Sequence, residues 1–355
     1  MREHPKGRLE TLDALRGAAA LMVVVHHLGT LANGSAPVGY LAVDFFFVLS
    51  GFVISRAYEE RLASGLTLAG FMQLRMVRLY PVYFAGLVLG LMVAGARIVT
   101  HETHAISGEL LGASSVFGAF MLPTPGAPDA TYPLNFPSWS LFFELAACAV
   151  YGAVAPRIST RGLICVIAIA AIGIVVSAVG HGTLNVGDTW ATFGDAVVRT
   201  VFSFSAGVLI QRLSTADARA SLWCLAPAAA LVGGLAAHPA EEVRALYEIV
   251  FVLVVSPALV AIGARVEPPP QIAAAARLLG EISYPLYAIH MPLIFMTGFV
   301  AGKLAISAQI WAPLYCVGVV AGALLLSRVY DQPVRAWLGA RLRRARPGRA
   351  VAMQS

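Results

Sequence analysis

The chain has 355 residues, 58% hydrophobic and 12% charged, with a mean hydropathy of +0.76 and a formal net charge of +6. A soluble domain carries about 25% charged residues, so a water-soluble globular protein is excluded. Taken in chain order, ten stretches have the length and apolarity of membrane spans: 12–31, 38–56, 79–98, 136–155, 162–180, 194–212, 220–237, 243–264, 279–300 and 307–328. Each is expected to be a helix, because a backbone in lipid must satisfy its own hydrogen bonds. The expected fold class is therefore all-α, a polytopic membrane protein with about ten transmembrane helices. The stretch 109–122 is apolar but short, and reads as re-entrant or interfacial. Residues 268–277, PPPQIAAAAR, read as an inner loop. Residues 1–335 form the expected transmembrane domain and 336–355 a basic cytoplasmic tail, its last ten residues disordered. The first run does not read as a cleavable signal peptide, since a second apolar run follows almost at once.

With the N-terminus in the cytoplasm, 21 of the 25 Lys and Arg fall in inner segments, leaving Arg97, Arg199, Arg244 and Lys303 outside. This positive-inside pattern supports the span count and places both termini on the cytoplasmic side. It also accounts for the net charge without nucleic acid; the lipid bilayer is the expected partner, with the basic tail against anionic headgroups. Cys148, Cys165, Cys224 and Cys316 all lie in apolar spans without CxxC spacing, so neither a disulfide framework nor a metal site is expected.

Ionisable residues inside spans are costly and mark pathways or sites. In LDALRGAAALMVVVHH (12–27), Arg16 and His27 are eleven residues apart. On a helix that puts them within about 20° of one face and about 16 Å apart along the axis. Asp13 lies near that face, and His26, rotated away, reads as structural. Arg16 is either a snorkelling cation or a ligand for an anionic substrate. In VDFFFVLSGFVIS (43–55), Asp44 lies at the depth of His27 and is expected to orient its imidazole, the alternative being capture of backbone N–H groups. Ser50 and Gly51 read as small packing residues. In FMQLRMVRLYPVYF (71–84), Arg75 and Arg78 share a face at the inner boundary, as routine inner arginines or as a grip, with Arg16, on a phosphorylated ligand. PSWSLFFELAACAVYG (137–152) buries Glu144, which needs a partner or a proton, below Trp139, itself an interfacial aromatic or a site residue. Arg199 stands on the outer side against the charge rule, as a functional group or one half of an ion pair. LGEISYPLYAIHMPL (279–293) adds Glu281, Tyr284, Tyr287 and His290; kinks at Pro285 and Pro292 can open space for a substrate, and a structural Tyr–His network is equally open. Asp331, in RVYDQPVR (328–335), reads as an ion-pair or cap residue.

Taken together in this order, these motifs make the chain resemble the membrane-bound acyltransferase 3 family over about residues 9–335. The family's R-x(10)-H stripe matches Arg16 and His27, and its second-helix aspartate motif matches VDFFFVLSGFVIS. RMVRLYP, the Trp139–Glu144 segment WSLFFE and the Ser283–His290 segment SYPLYAIH match the rest. Asp331-Gln332-Pro333 departs from the usual glutamate before proline, and the usual arginine pair is split as Arg75 and Arg78. The resemblance implies a bacterial cytoplasmic-membrane enzyme that moves an acyl group, by default acetyl, from acyl-CoA to a hydroxyl of a sugar-containing and sometimes lipid-linked acceptor. His27 would be the general base oriented by Asp44, or else the site of an acyl-histidine intermediate, with Arg16, Arg75 and Arg78 holding the CoA phosphates. Glu144, Trp139, Arg199, Tyr287 and His290 would shape the acceptor side or stabilise the oxyanion. Acyl-CoA is a substrate, and no permanently bound cofactor is implied. A proton-coupled transporter would line its path with the same residue types, but no inverted repeat is visible. An envelope scaffold would explain the spans and not the stripe.

Overall fold

The computed structural model describes residues 8–33, 36–102, 105–214 and 219–344. Its elements are helices: α1 (Glu10–Asn33), α2 (Ala42–Ala63), α3 (Leu68–Val99), α4 (Gly108–Ala119), α5 (Ser138–Val154), α6 (Thr160–His181) and α7 (Phe193–Leu213), followed by α8 (Leu225–Leu235), α9 (Glu241–Val250), α10 (Ser256–Gly263), α11 (Pro270–Lys303), α12 (Ala308–Leu326) and α13 (Gln332–Arg344). The extended backbone pairs once, as a parallel bridge of β1 (Arg219–Ala220) with β2 (Val266–Glu267). π-helical turns, Phe251–Val255 and Ser327–Asp331, fuse α9 to α10 and α12 to α13. Among the described residues, eight helical segments are long and apolar enough to cross a membrane. The other two expected spans are the shorter α5 and α8, of 17 and 11 residues. Ile169, Val176, Leu314 and Val317 are exposed on α6 and α12, an apolar exterior suited to lipid.

One expectation on helix limits is corrected. The stretch 268–277 is not a loop, because α11 starts at Pro270; proline is preorganised for the first helical turn and the alanines after it are the strongest helix formers. The basic tail is helical through Arg344, continuing α12 past its π turn; residues 345–355 lie outside the described residues. The stretch 109–122 forms α4, 12 residues long and about 18 Å at the helical rise, too short to span. Tyr80 and Tyr83 of α3 donate to its terminal carbonyls, Ala119 O and Gly118 O, at 2.8 and 2.7 Å.

Small residues set the closest helix approaches. A Cβ on Gly280 of α11 would stand 2.6 Å from the Asp13 Cβ of α1, and one on Gly17 2.5 Å from the Leu279 Cβ. Cβ atoms on Gly51 and Gly207 would strike the carbonyls of Phe204 and Val48, so α2 and α7 touch backbone to backbone. Phe45 and Phe52 of α2 and Leu15 of α1 are fully buried in the same apolar cluster. The start of α1 is held from a distance: the Glu267 carboxylate of β2 accepts the amides of Glu10 and Thr11 at 2.8 and 3.4 Å. Burial raises the Glu267 carboxyl above its ordinary range, and those two amides pull it back.

Candidate active site

The α1–α11 seam builds the inner mouth. Arg16 Nε donates to Ser283 Oγ at 2.8 Å, and Nη2 donates to Asp13 Oδ1 at 2.9 Å and to the Gly280 carbonyl at 2.8 Å. Held this way, the guanidinium borders a cavity of about 1350 Å³ lined by seven arginines (residues 8, 16, 56, 61, 78, 277 and 335) against Asp13, Glu60, Glu281 and Asp331. Arg56 and Arg78 form no ion pair among the described residues. The expected pairing of Asp331 is present, with Arg335 at 2.9 Å.

A second cavity of about 170 Å³ continues from the first, sharing Arg16, Leu49, Val53, Arg78 and Tyr284 with it. Arg16, Arg75 and Arg78, expected to act together, all line it, as do Glu144, Ser140 and Tyr287. Glu144 Oε1 accepts from Arg75 Nη2 at 2.7 Å and from Ser50 Oγ at 2.8 Å. Ser50 is therefore a polar wall of this throat rather than a packing residue, while Gly51 beside it does pack. Tyr287 closes the far end, its hydroxyl 2.6 Å from Ser140 Oγ and donating to the Pro137 carbonyl at 3.0 Å.

Beyond Tyr287, past the residues that line these two cavities, lies a set of packed rings. Tyr287 lies 5.8 Å from His290, and the His290 imidazole stacks on His27 at 5.2 Å with a 19° interplanar angle. Phe136 meets His27 edge-on at 5.0 Å. His27 is half-buried, and among the described residues neither of its nitrogens has a hydrogen-bond partner. A free imidazole in an apolar frame can take a proton from a substrate hydroxyl. His26 is structural, as expected: its Nδ1 donates to the Pro37 carbonyl at 2.7 Å.

Asp44 does not orient His27. Both of its carboxylate oxygens accept from Arg199, Nε at 3.1 Å and Nη2 at 2.6 Å, and the two residues are 0% and 1% exposed. Arg199 Nη1 donates to the Val186 carbonyl at 2.5 Å, and the guanidinium lies 5.7 Å from the buried Trp139 ring. The physical reason is the price of an unpaired charge in a membrane interior: each ion satisfies the other. Asp44, Arg199 and Trp139 thus form a buried tie among α2, α7 and α5, apart from His27. Glu144 belongs to the throat with Arg75; His290 is the expected residue that adjoins His27, and Tyr287 packs on the ring of His290.

Sequence reasoning missed Asn135, whose Nδ2 donates to the Ala288 carbonyl of α11 at 2.8 Å, and its neighbour Phe136. It also missed Glu248, which is fully buried and accepts from Tyr40, Thr183 and the amide of Leu184. A glutamate inside the span 243–264 was a signal for the last; nothing in TYPLNFP marked the first two.

The acyltransferase 3 model, described as an acyltransferase domain, matches residues 9–328. Among curated proteins, protein 2 in the picA locus of Rhizobium radiobacter is 36% identical over 189 residues, 50% of this chain and 98% of that relative. The exopolysaccharide production protein ExoZ of Rhizobium meliloti is 32% identical over 114 residues, 32% of this chain and 33% of that relative. No solved structure matches. A polytopic helical chain with that match from end to end is a multi-pass membrane enzyme, and it belongs to the acyltransferase 3 family.

Proposed function

We propose that the protein is an O-acyltransferase of the bacterial cytoplasmic membrane, moving an acyl group, by default acetyl, from cytoplasmic acyl-CoA to a hydroxyl of a sugar-containing acceptor. The observation that carries this reading is an arginine-lined mouth that continues into the Arg75–Glu144 throat, closed at its far end by Tyr287, which lies one ring, His290, away from a half-buried His27 whose nitrogens have no partner among the described residues. Guanidinium groups bind phosphates bidentately, so the mouth suits the charged end of CoA and the throat its thin pantetheine arm. A His27 nitrogen takes the acceptor's hydroxyl proton as the oxygen attacks the thioester carbonyl. The tetrahedral intermediate then expels the CoA thiolate, which takes that proton back from the imidazole. The exopolysaccharide link of one relative's name supports a glycan acceptor. A transporter would need no acyl transfer.

The test is acetyl-CoA turnover by purified protein in detergent, with and without acceptor. His27→Ala is expected to lower turnover by about 10²–10⁴-fold while acetyl-CoA still binds, and Arg16→Ala to weaken binding. Unchanged CoA handling in both variants would overturn the assignment.

A further inference from the structure

Two buried hydrogen-bond acceptors, on side chains that hold consecutive carbonyls of α11, have no donor among the described residues. His290 is 0% exposed, and its Nδ1 lies 2.7 Å from the Tyr287 carbonyl. A carbonyl only accepts, so the ring proton sits on Nδ1 and Nε2 is left as a bare lone pair. No described residue donates to it. Asn135 is 6% exposed, and its Nδ2 is committed to the Ala288 carbonyl. That carbonyl is available because Pro292, four residues on, has no N–H to return to it. The other end of the amide, Asn135 Oδ1, is likewise without a donor. Buried polar groups are nearly always satisfied, and two orphans together call for an explanation.

His290 stacks on His27 from α11, and Asn135 is joined in the chain to Phe136, whose ring meets His27 edge-on. The carbonyls they hold, of Tyr287 and Ala288, are consecutive. Both orphans are neutral acceptors, so they select against carboxylate or phosphate and for a hydroxyl or N–H donor. Asn135 belongs to the segment entering α5 from the end opposite the arginine-lined mouth, which places it on the acceptor's side of His27.

We propose that His290 Nε2 and Asn135 Oδ1 form a hydroxyl-reading subsite, so that the acceptor is a polyol presenting at least one hydroxyl besides the one that is acylated. The inference rests on acyl transfer at His27. A site built to receive a hydroxyl discriminates strongly against an analogue without it, because its own buried acceptors are then left unpaired.

The probes are methyl hexopyranosides and their monodeoxy derivatives, with acetyl-CoA and the purified full-length protein; product is mapped to find the acylated position. For wild type, loss of one non-acylated hydroxyl is expected to lower kcat/KM roughly ten-fold or more. Asn135→Leu and His290→Met are expected to raise the glycoside KM and flatten that preference. In Asn135→Leu, acceptor-free, His27-dependent CoA release and the KM for acetyl-CoA should stay near wild type, which also reports a folded protein; for His290→Met, whose native ring stacks on His27, folding is read from the melting temperature instead. His290→Gln, which restores an acceptor atom, should recover part of the preference. Equal use of parent and deoxy glycosides overturns the subsite, as does a preference that survives both variants. A rise confined to the acetyl-CoA KM also overturns it, by giving these atoms to the donor's amides. His27-dependent CoA release with no transfer to any glycoside overturns the subsite alone, whereas no CoA release at all overturns the transfer reading beneath it.

Discussion

Asp44 and Arg199 were each legible as ions at the wrong depth for a lipid-facing side chain; that they belong to each other was not. Depth is a property of chain position, but partnership depends on how α2 and α7 are rotated against one another, and periodicity does not encode that. Either single substitution, Asp44→Leu or Arg199→Met, leaves a buried charge unpaired and should cost about 3–5 kcal/mol. The double variant should recover most of that loss in a detergent denaturation series. Additive losses would show that the pair is not a closed unit. At the throat, Arg75 and Glu144 can be separated from the chemistry. Arg75→Met should raise the acetyl-CoA KM more than it lowers kcat, and equal effects on both would place Arg75 nearer the reacting atoms. Arg16 and His27 were readable because one helix carries both, and a single helix has a known geometry. Asn135 was not, because a lone amide in a loop has no period to betray it.

The ten apolar runs became helices where expected, yet α3 and α11 start eleven and nine residues before the predicted limits. Hydropathy reports where lipid begins, whereas a helix ends where its capping and propensity end: Thr67 caps α3 by accepting the Gly70 amide at 3.2 Å. The tight crossing of α2 with α7 gives a sharp test. Gly51→Ala and Gly207→Ala each press a methyl group onto backbone and should destabilise by about 1–3 kcal/mol. Gly318→Ala, on α12 with nothing within 4 Å, should leave the melting temperature unchanged or slightly higher. A Gly51→Ala protein that melts with wild type would mean the helices can part without loss. At the opposite extreme of range, Glu267→Ala removes the remote cap of α1 and should cost about 0.5–2 kcal/mol, seen as faster amide exchange at Glu10 and Thr11 than at the middle of α1.

For the molecule as a whole, the charge asymmetry predicts an orientation that labelling can check. In a cysteine-free background, Ser307→Cys, at the start of α12, should react with an impermeant maleimide in intact spheroplasts. Ser64→Cys, between α2 and α3, should react only in inverted vesicles. Both positions are exposed, so the reverse result would invert the topology and bring the arginine-lined mouth to the wrong side for a cytoplasmic donor. The global arrangement was the part least visible beforehand, because α1 finds its main neighbour at the far end of the chain.

That last pairing has a consequence for biosynthesis. Arg16 is held by Gly280 and Ser283, and His27 is stacked on His290, so α1 is completed by a helix made more than 250 residues later. At about 5–20 residues per second, the ribosome needs roughly 13–50 s to make the intervening chain. Until then His27 lacks its stacking partner and the Arg16 guanidinium two of its three partners. A nascent or prematurely terminated chain therefore cannot bring these residues together, and if the proposed transfer runs at His27, unfinished copies are kept inert by the order in which the chain is written.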